Sequence, residues 1–172
     1  MSVFHGQTRF DDPRIPQDLA TKLYVDDRGG QTFARVIKLV DQTVNNSTTL
    51  IDDDELFFTP NINKEYFGVM YIYMSSISTA DIKHAFSLPT DCVGRWLGPV
   101  AYVRHSEQVT AGITSPILVG VNTVGERTMA QYFHIQMSGT AGTIQYQWAQ
   151  GTAQVADTKV LLGTTFVIWE SP

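Results

Sequence analysis

Four histidines, one cysteine and a run of acids are the side chains in this 172-residue sequence with the means to do chemistry. His5, His84, His105 and His134 stand far apart, and no two of them have metal-ligand spacing. His84 and His134 fall inside apolar runs that read as strands, so a packed or interfacial histidine is expected at both. Cys92 with one of them would make a nucleophile and a base. No catalytic signature surrounds it, however, and a free buried cysteine behaves as a small hydrophobe. Asp52-Asp53-Asp54-Glu55 gathers the carboxylates that calcium uses, its normal complement being ~6–8 oxygens. The EF-hand order of alternate acids with a glycine at the sixth position is absent, so a solvated turn between strands is the expectation. Ser138 lacks the glycine two positions earlier that a nucleophile elbow needs. Gly139-Thr140-Ala141-Gly142 lies between strands rather than before a helix, which removes it as a phosphate cradle. Asn45-Asn46-Ser47-Thr48 reads as a polar turn. The expectation is a protein that is not an enzyme, with no catalytic residue, no metal and no cofactor.

Aromatic residues remain as the groups able to bind something. Tyr71, Tyr73, Tyr146 and Trp148 are the candidate interface or ligand aromatics, because a ring with a polar handle suits a protein or carbohydrate contact. Trp148, flanked by Gln145, Gln147 and Gln150, is expected to be partly exposed, and Trp169 to be core.

These residues must be positioned by strands. Residues 33–44, 48–51, 56–58, 66–74, 80–88, 117–124, 129–137, 143–149 and 159–169 are rich in β-branched and aromatic side chains. Turns are expected at Asn45-Asn46-Ser47, Asp52-Asp53-Asp54, Gly125-Glu126, Ser138-Gly139, Gly151-Thr152 and Gly163. Phe67, Val69, Tyr71 and Tyr73 share one face of residues 66–74, with Tyr66, Gly68, Met70, Ile72 and Met74 on the other. Both faces are apolar, so that strand is expected to be covered on both sides. Residues 89–116 are the least regular. Short strands with Gly- and Asn-rich turns predict a mostly β fold, an antiparallel β-sandwich that is jelly-roll-like.

The start of the chain differs. Pro13 and Pro16 impose extended or turn geometry, and a short helix is expected just after Pro16, with Asp18 near its positive end. Leu19 and Leu23 lie four apart on one face, with Ala20 and Tyr24 beside them. Isolated helices shorter than ~12–15 residues are marginal in water, so this one must lean on the body or on copies of itself. Leu19, Ala20, Leu23 and Tyr24 are therefore the expected self-association or attachment contacts, which the resemblance described below makes trimer contacts. Gly29-Gly30 closes the element. The expected organisation is residues 1–33 as an N-terminal helical arm and residues 34–172 as the sandwich body.

Composition narrows the partners. The net charge of -5 argues against nucleic acid or an anionic membrane. No apolar run approaches the ~18 residues of a membrane span, so no membrane insertion is expected. Residues 1–7 lack the basic and apolar regions of a signal peptide, which predicts assembly in a cytoplasm. Residues 128–156 contain no Asp, Glu, Lys or Arg. Uncharged strands suit packing between identical subunits, where a charge would meet its own copy.

The segment Pro16-Gln17-Asp18-Leu19-Ala20-Thr21-Lys22-Leu23-Tyr24-Val25-Asp26 resembles the D-x-A-T-K-x-Y-V-D element found near the starts of bacteriophage fibre and head-fibre proteins. There it lies in or beside a short parallel trimeric helix bundle. Residues 50–58, 80–86 and 142–150, with Leu161-Leu162-Gly163 and Trp169-Glu170, are similar to C-terminal β-sandwich modules of phage virion proteins. The resemblance implies a homotrimeric, non-enzymatic virion structural protein. Its leading form is a capsid decoration protein of the cement or head-fibre kind, assembled in the host cytoplasm and bound to capsid or other virion proteins through its arm. The alternative is a short tail fibre or receptor-binding knob that grips a host-surface glycan. Only Gly29-Gly30 and a few residues separate the element from the sandwich, which favours a compact knob close to a shell or baseplate over a long shaft. A polysaccharide hydrolase would need two carboxylates ~5–10 Å apart in a groove, and no such pairing is visible in the sequence.

Overall fold

A computed structural model describes residues 33–97, 113–114, 116–120 and 125–171. The expected N-terminal helix, with Leu19, Ala20, Leu23 and Tyr24, lies outside the described residues, as do His5 and His105. The described residues contain strands and turns and no helix. The strands are β1 (Phe33–Ile37), β2 (Gln42–Val44), β3 (Ile51–Phe58), β4 (Glu65–Ser76), β5 (Ile82–Ser87) and β6 (Val93–Leu97), then β7 (Ile117–Val119), β8 (Gly125–Gln136), β9 (Ile144–Gln150), β10 (Thr158–Val160) and β11 (Thr165–Glu170).

Every pairing is antiparallel, and the strands form two sheets. The larger is centred on β4, which pairs with β8 along one whole edge and with β11 and then β10 along the other. Beyond these lie β6 next to β8, β1 next to β11, and β2 next to β10. The smaller sheet runs β3-β9-β5-β7. Successive strands from β3 to β10 alternate between the sheets, so every one of those connections crosses the sandwich.

The core follows from period-two alternation. Tyr66, Gly68, Met70, Ile72 and Met74 of β4 point inward, beside Met129, Phe133 and Ile135 of β8. Ile82 and Phe86 of β5 and Ile144, Tyr146 and Trp148 of β9 face them from the smaller sheet. Phe86 sits at the centre, its ring 5.3–5.7 Å from those of Trp96, Phe133, Tyr146 and Phe166. Burying each such side chain contributes roughly 1.5–3 kcal/mol.

Several expected boundaries move, each for a local reason. The run 33–44 is two strands, because Lys38 turns inward and residues 38–41 leave the sheet. The run 159–169 is likewise split at Gly163, whose φ of +85° suits glycine. Gly125 and Glu126 open β8 rather than forming a turn. Asp52-Asp53-Asp54 lies within β3, although the pairing with β9 slips between Asp52 and Phe57. Inside the irregular run 89–116 the chain makes β6, whose Trp96 is core.

Gly68 is required by packing. It stands directly across from Phe133, and a Cβ there would lie 2.2 Å from the Phe133 ring. That ring is fully buried and packed edge-on against Phe86. The variant Gly68→Ala is expected to lose about 2 kcal/mol, the usual scale of overpacking, read as a lowered melting temperature. An unchanged melting temperature would contradict this packing.

Candidate functional site

The outer face of the larger sheet carries several exposed apolar side chains, and three cross-strand rows build its middle. The first carries Ile37, Thr165, Tyr71 and Ala130. The second carries Arg35, Val167, Val69, Tyr132 and Leu97. In the third, Trp169, Phe67, His134 and Arg95 follow one another. Tyr71 is 42% exposed and Tyr132 52%, while Val69 beneath them is covered. The Phe67 and His134 rings stack at 4.6 Å. Tyr73 continues the face beyond Tyr71, and Val93 extends it at the β6 end.

This corrects one expectation: the apolar strand 66–74 is covered on one side by the core, and its Phe67-Tyr71-Tyr73 side is exposed in the single chain. Tyr71 and Tyr73 are thus accessible. Tyr146 and Trp148 are not, and both are fully buried. The expected partial exposure of Trp148 fails because Gln145 and Gln147 point to the opposite side of β9, while Gln150, on the side of the indole, is itself buried. Trp169, expected to be core, is half-buried on the outer face.

The acidic run does different work from a solvated turn. Slippage in β3 aims Asp53 into the interior, with its neighbours Asp52 and Asp54 exposed. Asp53 Oδ1 accepts from Lys38 Nζ at 2.8 Å and from the backbone N–H groups of Glu55 and Leu56 at 3.1 Å. Its Oδ2 accepts from the Trp148 indole at 3.2 Å. Lys38 and Asp53 are both almost wholly buried. Lys38 Nζ also lies 3.4 Å from Gln42 Oε1 and 3.7 Å from Glu55 Oε2. No group of three or more His, Cys, Asp or Glu side chains among the described residues is arranged to hold a metal.

A second polar cluster lies deeper. His84 is fully buried, with Trp96 at 5.1 Å and Tyr146 at 5.8 Å between ring centres. Among the described residues, neither His84 nitrogen, nor Trp96 Nε1, nor the Tyr146 hydroxyl has a hydrogen-bond partner. Burial lowers the His84 pKa from 6.5 to about 3 and pushes the Tyr146 hydroxyl well up. His84 is therefore the neutral packed histidine expected from its strand.

At the far end of β4, Glu170 closes a corner. Its Oε2 accepts from the Tyr66 hydroxyl at 2.9 Å and from Asn61 Nδ2 at 3.2 Å, and its Oε1 meets Lys64 Nζ at 2.9 Å. Lys64 and Tyr66 hold the Glu170 carboxyl below the usual range. Cys92 lies against Ser138, with Sγ 3.5 Å from the hydroxyl oxygen.

What this arrangement can do is bind through a surface. Sequence reasoning placed Phe67, Tyr71 and Tyr73 on one face but missed Tyr132 and Leu97 as their companions on the neighbouring strands. Alternation over residues 129–137 was the signal that could have found Tyr132. It also missed Asp53 as an inward-facing ion-pair partner.

Comparison with known proteins adds little. No protein-family model matches the sequence, and no curated protein matches it. Among solved structures, one match is a chain from the structure of the infectious bursal disease virus Gx strain. The identity is 7% over 81% of this chain and 40% of that one, with a TM-score of 0.23, too low to carry any conclusion about fold or function.

Removing one partner of a buried pair leaves an uncompensated charge, at a cost of about 3–5 kcal/mol. Lys38→Met should lose stability on that scale in denaturant melts, and adding Asp53→Asn should recover part of it. Additive losses would show that the pair is not coupled.

His84 sets a pH dependence whose sign follows from its lowered pKa. Above pH ~6.5 the ring is neutral folded and unfolded, and it carries no proton-linked cost. Between pH 6.5 and about 3 the unfolded chain takes a proton that the native state refuses. Stability therefore falls by ~1.4 kcal/mol per pH unit from this group alone. His84→Phe should flatten the decline from pH 6.5 to 5, ahead of most carboxylate titration. Parallel stability–pH curves for the two proteins would contradict the assignment.

Proposed function

We propose that this chain is a non-enzymatic structural protein of a tailed-phage virion: a homotrimer that decorates the capsid and is anchored by its N-terminal arm. The observation that carries this reading is the outer face of the larger sheet. Tyr71, Tyr73, Phe67, Tyr132, Leu97 and Val93 stand exposed on that face, interspersed with Arg35, Arg95 and the Glu65–His134 pair, on a domain whose core is already complete. A face of that kind marks a contact with another protein. The element at residues 16–26, which resembles the trimeric helix segment of phage head-fibre proteins, supplies the number of copies and the setting. Light scattering after size exclusion should give three times the 19.2 kDa chain mass.

The second reading is a short tail fibre or receptor-binding knob that binds a host-surface glycan. The exposed rings of Tyr71, Tyr73 and Tyr132 favour it, because sugars stack on such rings. The two readings separate in phage particles that lack the protein. A decoration protein predicts particles that still adsorb to cells but burst more readily on heating or osmotic shock. Sound shells with lost adsorption would select the fibre and overturn the first reading.

A further inference from the structure

The ion pair inside the sandwich holds the parts of a condensation reaction. Lys38 Nζ lies 2.8 Å from Asp53 Oδ1, and the two side chains are 1% and 0% exposed. In water an amine and a carboxyl form hydrated ions and stay unjoined. Here burial makes both charges expensive to keep. Holding the partners together in one geometry also supplies an effective concentration on the order of 10⁵ M or more.

The surrounding groups fit the rest of the chemistry. The Trp148 indole N–H donates to Asp53 Oδ2 at 3.2 Å, and the backbone N–H groups of Glu55 and Leu56 donate to Oδ1 at 3.1 Å. Donors fixed on the carboxyl oxygens stabilise the negative charge that builds there when a nucleophile adds to the carbon. Asp53 alone balances the Lys38 charge, which leaves Glu55 as a proton acceptor beside the amine. Glu55 Oε2 lies 3.7 Å from Lys38 Nζ and is held by the N–H groups of Leu39 and Val40, both at 3.0 Å. The Glu55 side chain is 27% exposed, so protons can pass between it and solvent. Gln42 Oε1 accepts from Lys38 Nζ at 3.4 Å and from the Asp54 N–H at 3.1 Å, which steadies the amine from another side.

We propose that Lys38 and Asp53 join in an intramolecular amide bond, with Glu55 as the proton carrier. Glu55 takes a proton from the ammonium, and the freed lone pair of Nζ attacks Asp53 Cγ. The tetrahedral intermediate keeps its oxygens on the indole and backbone donors. A second proton leaves Nζ, one Cγ–O bond breaks, and the departing oxygen receives both protons through Glu55. The ammonium thus loses two protons and the carboxylate one oxygen, which leave together as water, and nothing is oxidised or reduced. Lys38 follows β1 of the larger sheet and Asp53 lies in β3 of the smaller, so the bond ties the two sheets together. It closes a loop between residues 15 apart and limits the unfolded chain as a disulfide does. It is independent of the number of copies and of what they attach to.

Mass spectrometry of the purified, denatured full-length chain tests it. The intact mass should be that of the sequence, with or without Met1, less one water. Trypsin does not cut after an acylated lysine, so residues 36–64 should appear as one peptide that is lighter by one water. Lys38→Arg should restore the full mass. Glu55→Gln should leave most of the chain unjoined while circular dichroism shows it folded. A full intact mass with ready cleavage after Lys38 in the unmodified chain would overturn the bond. Loss of water with that cleavage retained would place the loss elsewhere and overturn it equally. Complete joining in the Glu55→Gln chain would overturn the part given to Glu55.

Discussion

A buried carboxylate organises the sandwich. Asp53 brings four donors to one point between the sheets: an ammonium from the end of β1, an indole from β9 and two backbone N–H groups of its own strand. An ionised carboxylate without partners in that position would cost several kcal/mol, so the chain must place all of them correctly. That requirement accounts for features that look like defects. β1 ends at Ile37 so that Lys38 can turn inward, and β3 slips against β9 between Asp52 and Phe57 so that Asp53 can meet it. The tie also fixes where the surrounding acids point. With Asp53 neutralised inside, Asp41, Asp52, Asp54 and Glu55 are left to shape an acidic corner around Leu39, Val40 and Leu162.

From that pin the two sides of the larger sheet diverge in role. Its inner face meets Phe86, Tyr146 and Trp148 in a core closed by aromatic edges. The outer face repeats the same chemistry without a partner: Val69 is buried by its own neighbours, while Tyr71 and Tyr132 around it stay open. A strand apolar on both sides stabilises the monomer with one side only. The other side is available for association.

The sequence was most legible where one physical rule acts alone. Alternation found β4, β5, β8 and β9 because each has one face in the core. It misread the outer face of β4, since a periodic pattern shows that residues are apolar and not whether the same chain covers them. The acidic run failed for another reason. Three consecutive aspartates read as solvent, and nothing local reveals that Lys38, fifteen residues earlier, will be buried against the middle one. Trp148 and Trp169 exchanged their expected environments because a half-polar strand, with Gln145 and Gln147 on one side, hides an inward side of Ile144, Tyr146 and Trp148 that ends in a buried glutamine, Gln150. β6 was invisible because five residues with a central glycine and arginine, Val93-Gly94-Arg95-Trp96-Leu97, carry too short a pattern to rise above their irregular surroundings.

The central claim is that this sandwich serves as a trimeric ornament of a phage shell, made self-associating by the second apolar face of β4. A cryo-EM map of the assembled particle tests it most directly. The account predicts threefold density on the outside of the capsid into which three copies of residues 33–171 fit, with the outer face of the larger sheet covered by a neighbouring copy. Density for this chain at the tail tip, or single copies with that face open to solvent, would contradict it.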